Sequence, residues 1–157
     1  MPNINRDEDT LRKRLVASLR EVLTKNDQEL LVEDVHGHGE HGLDVIFLAI
    51  DFSGEKHCYG MQLKSGGISC QNRPNKGVKE IIGQLTIATG HNYNFQSDNT
   101  YEFSGFYVIT DGEISEVAKQ YISAAFKQGK PIYFLYGSML EQFLLENEPS
   151  DLTTEQS

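Results

Sequence analysis

The sequence predicts a mixed α/β domain, a central sheet flanked by helices, with elements in the order α-β-β-β-α-β-α-β-α. Three observations lead there. Apolar residues recur at helical spacing in separate stretches of the chain. Short runs rich in branched and aromatic residues lie between those stretches. Late in the chain, strands alternate with helices, which implies parallel neighbours and a mixed sheet. With 157 residues and 38% hydrophobic content, the chain is long enough to bury one core.

Each element has its own reason. Leu11, Leu15, Leu19, Val22 and Leu23 place one apolar stripe on a helix from about Glu8 to Thr24, and Lys25-Asn26-Asp27 punctuates its end. Leu30 to Val35 is a short strand. His36 to Gly42 (HGHGEHG) is a glycine-rich loop whose backbone can take positive φ and approach a ligand. Asp44 to Phe52 is almost wholly apolar after its first residue, as suits a strand buried on both faces. Ser53-Gly54-Glu55 is a turn, and His57 to Lys64 returns to complete a three-stranded meander.

Val78, Ile81, Ile82 and Leu85 mark a second helix ending near Thr89-Gly90. His91 to Thr100 reads as a polar loop, and the aromatics Tyr93, Phe95, Tyr101 and Phe103 read as its anchors rather than as a base-stacking platform. Phe103 to Thr110 is a strand. Thr110-Asp-Gly-Glu113 has the form of a capping box before a helix carrying Ile114, Val117, Ala118, Tyr121, Ile122, Ala125 and Phe126. Gly129 ends that helix, and Pro131 to Tyr136 is a strand. Ser138-Met-Leu-Glu141 has the form of a second capping box, for a helix reaching about Leu145. The expected division is one domain over residues 1–147 and an acidic, disordered tail over 148–157.

Composition narrows the function classes. No window approaches the ~18 to 20 apolar residues of a membrane span, and MPNINRDEDT lacks the apolar core of a signal peptide. The expected compartment is the cytoplasm, with Cys58 and Cys70 as reduced thiols. Neither belongs to a C-x-x-C pair, and no G-x-S-x-G or His-paired Cys signature is present. A net charge of −9 with a pI near 4.9 argues against binding nucleic acid through bulk electrostatics. The charge is uneven, however. Glu141, Glu146, Glu148, Asp151 and Glu155 cluster at one end, while Arg73, Lys76 and Lys79 outnumber Glu80 between Ser65 and Glu80.

Chemistry concentrates on Asp44, Gln62 and Lys64. Side chains alternate along a strand, so Gln62 and Lys64 share a face. A three-residue turn would place Asp44 opposite Lys64, a five-residue turn opposite Gln62, and an even-length turn would put it on the wrong face. Either odd register gathers a carboxylate, an amide oxygen and an ammonium. Mg²⁺ takes hard oxygen donors and one or two carboxylates. Asp44 and Gln62, with a backbone carbonyl such as that of Leu63, suit it. Lys64 is then placed to serve an attacking water or a phosphate. On spacing alone, Lys64 reads equally well as a strand-ending residue, with Asp44 as its cap or salt-bridge partner. His36, His38 and His41 have permissive rather than diagnostic spacing for zinc. They read better as the mouth of the Asp44 site, with His38 touching phosphate. His91 reads as a surface residue.

Gly42-Leu-Asp44-Val-Ile, a hairpin, then Met61-Gln62-Leu63-Lys64-Ser65-Gly66 resembles the core motif of the restriction endonuclease-like (PD-(D/E)XK) superfamily. It is most similar to the Mrr-type branch, in which a GxD strand precedes a QxK strand. Val78 to Leu85, ending Gly83-Gln84-Leu85, is similar to that branch's next helix, and Phe106 to Thr110 with Glu116 to Lys119 to its next strand and helix. The resemblance runs from about Leu11 to Leu145. It implies a Mg²⁺- or Mn²⁺-dependent endonuclease acting on DNA phosphodiesters, with metal on Asp44 and Gln62 and Lys64 aiding the water. Gln84 would assist, while Arg73, Lys76 and Lys79 would steer the DNA backbone. Sequence specificity would require a homodimer or a partner protein, or would be weak, since no separate DNA-reading domain fits this length. The family also carries a glutamate on helix one that faces the metal. Here the nearest acids are Glu21 and Glu8, off register. The rival expectation is a catalytically silent protein on the same fold, an interaction subunit or an acidic nucleic-acid-mimicking inhibitor.

Overall fold

The computed structural model describes residues 4–25, 31–35, 42–69, 77–95, 99–126 and 129–149. Cys70, Arg73, Lys76, the histidines at 36, 38 and 41, and residues 150–157 of the expected tail lie outside these. The elements are α1 (Ile4–Lys25), β1 (Leu31–Asp34), β2 (Val45–Ile50), β3 (Lys56–Lys64), α2 (Val78–Thr89), β4 (Asn92–Phe95), β5 (Asn99–Thr110), α3 (Glu116–Ala124), β6 (Ile132–Tyr136) and α4 (Gly137–Asn147).

The sheet is mixed, as the sequence predicts. β1, β2 and β3 form the antiparallel meander, and β3 then pairs in parallel with β5. Strand β5 is shared: its first residues pair antiparallel with β4 and its last five pair in parallel with β6. Alternation along β2 and β3 divides the interior. Val45, Phe47, Met61 and Leu63 pack on one face with Leu11, Leu15 and Leu19 of α1 and Leu140 and Leu144 of α4. Ile46, Leu48 and Cys58 pack on the other with Ile81 and Leu85 of α2 and Ala118 and Ile122 of α3. Burial pushes the Cys58 thiol up to about 12, with the nearby Glu33 charge adding to the effect, so it stays neutral and inert. No described helix is long and apolar enough to cross a membrane.

Four sequence expectations need correction. His91 to Thr100 is not all loop: Asn92–Phe95 forms β4 on the start of β5, since Tyr93 and Phe95 alternate with asparagines at the two-residue period of a strand. Tyr93 and Phe103 are indeed packing residues, 8% and 2% exposed, and the Tyr93 hydroxyl donates to Glu33 of β1. Thr110 does not cap α3, because its hydroxyl is used at the end of β5, donating to the Gly66 carbonyl and accepting from Gly112 N. Ser115 is the cap, accepting from Ala118 N at 3.1 Å. Ser138 lies inside α4, which begins after Tyr136 without a side-chain cap.

Phe52 belongs to the hairpin turn rather than to β2, and its ring is fully exposed. Glu148, the first residue of the expected tail, ion-pairs with Arg14 of α1 at 2.5 Å.

Candidate active site

The β2–β3 register answers the question the sequence left open. Ile50 pairs with Lys56 and Val45 with Met61, so the turn is the five residues from Asp51 to Glu55. Continuing that ladder by one step sets Asp44 opposite Gln62. Asp44 N donates to the Met61 carbonyl at 2.9 Å, which extends the pairing past the end of β2. Its carboxylate turns toward the partner strand, where Oδ2 accepts from Leu63 N at 2.8 Å. A charge-assisted bond of this kind fixes the carboxylate's direction.

Gln62 is 1% exposed and lies on the α2 face of the sheet, between Met61 and Leu63, which both face α1. Its Nε2 donates weakly to the Gly42 carbonyl at 3.5 Å. Gln84 of α2 reaches the same place from above. A Cβ on Gly42 would come within 2.7 to 2.9 Å of the Gln84 Cγ, Cβ and Cδ atoms, and Gly42 has φ +78°. Only glycine meets both conditions. The loop before β2 thus brings two glutamine side chains together over one residue.

Among the described residues, Gln62 Oε1 and Gln84 Oε1 are buried and have no hydrogen-bond partner. A buried unpaired acceptor costs about 1 to 3 kcal/mol, a large share of the ~5 to 15 kcal/mol that separates folded from unfolded domains. Two glutamines with such oxygens, on side chains that meet Gly42 beside a carboxylate, fit a hard divalent cation, which takes oxygen donors of this kind. The third such atom, Ser18 Oγ, is on α1, against the other face of the sheet.

Lys64 ends β3 on the same face as Gln62, paired with Thr110 of β5. The backbone just beyond it is held by Gly66 N donating to Asp111 Oδ1 at 2.9 Å. Its Nζ donates to Oε1 of Glu80 on α2 at 2.8 Å. Glu80 was read from sequence only as a local counter-charge. Its position four residues before Gln84, on one helix face, is the signal that would have placed it at the site. The group lies at the carboxyl ends of the parallel strands β3 and β5, where open α/β sheets bind ligands.

Other expected site residues fall elsewhere. Lys79 is exposed and lines an apolar groove of about 510 Å³ between α2 and α3, with Ile82, Gly83, Tyr121, Ala124 and Ala125. That is a different face of α2 from Glu80 and Gln84. The apolar stripe of α1 packs on the sheet face opposite Gln62. His91 is exposed, as expected, with Nδ1 against the Ile87 carbonyl at 2.9 Å.

A second cluster of metal-ligating types, Asp51, Glu55 and His57, stands at the opposite end of the hairpin, with ligand atoms within 4.8 Å of one another. Six residues of β2 separate it from Asp44, about 23 Å of extended chain. Asp51 Oδ1 accepts from Ser53 N, Ser53 Oγ and Glu55 N, while Oδ2 meets His57 Nε2 at 2.7 Å. The Ser53 hydroxyl and His57 together hold the Asp51 carboxyl well below the usual carboxylate range.

No protein-family model matches the chain, and no curated protein sequence does. Among solved structures, it is similar to the MspJI restriction endonuclease in complex with a 27-mer oligonucleotide, with a TM-score of 0.44 and 14% sequence identity. The match covers 90% of this chain and 28% of that one, so this chain spans less than a third of that protein's length.

Proposed function

We propose that the chain is a metal-dependent endonuclease that hydrolyses DNA phosphodiester bonds. The observation that carries this reading is a pair of glutamines with buried, unpartnered amide oxygens, Gln62 and Gln84, whose side chains both lie against Gly42 beside Asp44. Lys64 on the same sheet face supplies the cation that phosphoryl chemistry needs. The order GxD, hairpin, QxK in the sequence supports the same reading.

Asp44 and Gln62 would hold Mg²⁺ or Mn²⁺, with Gln84 assisting. The bound ion lowers the pKa of a water and polarises a phosphoryl oxygen. Asp44 contributes a carboxylate whose direction is set by Leu63 N. Gln62 and Gln84 contribute neutral oxygens, which keeps the site's net negative charge low beside a polyanionic substrate. Lys64 presents an ammonium where charge builds on the phosphate. Lys79, with Arg73, Lys76 and His38 of the adjoining loops, would steer the DNA backbone.

Plasmid nicking with Mn²⁺ tests the reading. Wild type should cleave, EDTA should stop it, and Lys64→Ala should lower the rate by about 10²- to 10⁴-fold. Cleavage that survives EDTA or Lys64→Ala would sink the assignment. The net charge of −9 favours a second reading, a silent interaction protein on this fold. Calorimetry separates the two: Mn²⁺ binding that is lost in Asp44→Ala belongs to the nuclease site, and its absence points to the silent protein.

A further inference from the structure

We infer that Glu80 is the positioning residue for Lys64, a role that rests on the nuclease reading and extends it. The contact is direct, with Nζ to Oε1 at 2.8 Å. A lysine side chain has many rotamers, so an ammonium at the open end of a strand needs a partner to stay in one place. Misplacing a reacting group by about 1 Å costs on the order of 10²-fold in rate. Lys64 is 21% exposed at the side chain, enclosed enough for one partner to define its direction.

Glu80 is itself held in register. Ile81 and Leu85 on the same helix are fully buried, and Gln84, one turn on, packs over Gly42. The helix that carries Glu80 is therefore docked on the site through Gln84, and the two residues share one face. From the other side, Thr110 Oγ1 and Asp111 bind the backbone of Gly66 just beyond Lys64. Both ends of the Lys64–Glu80 pair are anchored by contacts outside it. The carboxylate facing Lys64 thus comes from α2, whereas α1 packs on the opposite face.

A purely stabilising role makes a different prediction. The Glu80 side chain is 52% exposed, and exposed ion pairs contribute little to stability. Removing the pair should therefore leave the melting temperature almost unchanged. A positioning role predicts a lower kcat with KM and metal affinity kept.

The test compares wild type with Glu80→Gln, Glu80→Ala and Glu80→Asp. Three readouts are taken: Mn²⁺-supported plasmid cleavage, Mn²⁺ affinity by calorimetry, and the ¹⁵N–¹H signal of the Lys64 ammonium in the metal-free protein. The expected result is a loss of about ten- to a hundredfold in kcat for Gln and Ala, partial rescue by Asp, and KM and Mn²⁺ affinity within twofold. The ammonium signal should be slowly exchanging in wild type, persist in Glu80→Asp and vanish in Glu80→Gln. An unchanged kcat in Glu80→Ala overturns the inference, and so does a loss that appears only in Mn²⁺ affinity, which makes Glu80 a ligand. A fast-exchanging wild-type ammonium overturns it whatever the activity. If wild type cleaves nothing while the ammonium is held, the nuclease reading has failed rather than the pairing.

Discussion

The two ends of the β2–β3 hairpin carry similar residue types and behave in opposite ways. At the tip, the Asp51 carboxylate makes four hydrogen bonds, three of them to its own turn and the fourth to His57. At the open end, Gln62 and Gln84 keep buried oxygens without partners among the described residues, and both side chains lie against Gly42. The tip spends its polar groups on holding a turn. The open end leaves them unspent in a place where that costs stability, which supports the proposal that this end serves something other than folding. Residue type alone does not distinguish the two ends; hydrogen-bond satisfaction does.

The largest effect should follow from Gly42→Ala. An L residue at φ +78° costs about 1 to 2 kcal/mol, and the new Cβ must displace Gln84. Thermal melting should fall by several degrees, and Mn²⁺ binding by calorimetry should be lost. An unperturbed melt with intact binding would show that the two glutamines do not meet over Gly42.

Gln62→Met should act in the other sense. It removes a buried unpaired acceptor at nearly constant volume, so the protein should gain about 1 kcal/mol in denaturant titration while Mn²⁺ binding disappears. A destabilised variant would mean that Gln62 is a structural residue like those at the tip.

The smallest effect belongs to the tip itself. Asp51 titrates lower in the folded chain than in the unfolded one. Its contribution is therefore complete above the ordinary carboxylate pKa near ~3.9, and it is lost as pH falls through the lower folded value. Asp51→Asn should lower the melting temperature at neutral pH, flatten its dependence on acid, and leave Mn²⁺ binding at the open end untouched. An equal loss of Mn²⁺ binding would erase the distinction between the ends.

Much of this arrangement can be read from the chain, and the misses have physical causes. The meander and the shared face of Gln62 and Lys64 follow from a two-residue period. Whether Asp44 joins them depends on the parity of one turn, which local sequence does not dictate. Asp51 decides it by closing a five-residue turn with its own side chain. β4 was hidden because asparagine disfavours strands, yet Asn92–Phe95 has a partner ready in the start of β5. Thr110 imitates a helix cap because a threonine followed three residues later by glutamate is a local pattern, whereas its hydroxyl is used by Gly66, distant in sequence. Glu80 escaped notice because an acid among lysines reads as a counter-charge until the helix face it shares with Gln84 is considered.

The parallel pairing of β3 with β5 also bears on how the site comes into being. Hairpin contacts such as Val45 with Met61 close a short loop and can form early. Lys64 with Thr110, by contrast, requires the whole crossover through α2 and β4 to close first. The contact of Asp44 with Gln62 is therefore the more local one, and the fixing of Lys64 the more distant. On the proposed reading, the groups that would hold the metal would meet before the site is complete.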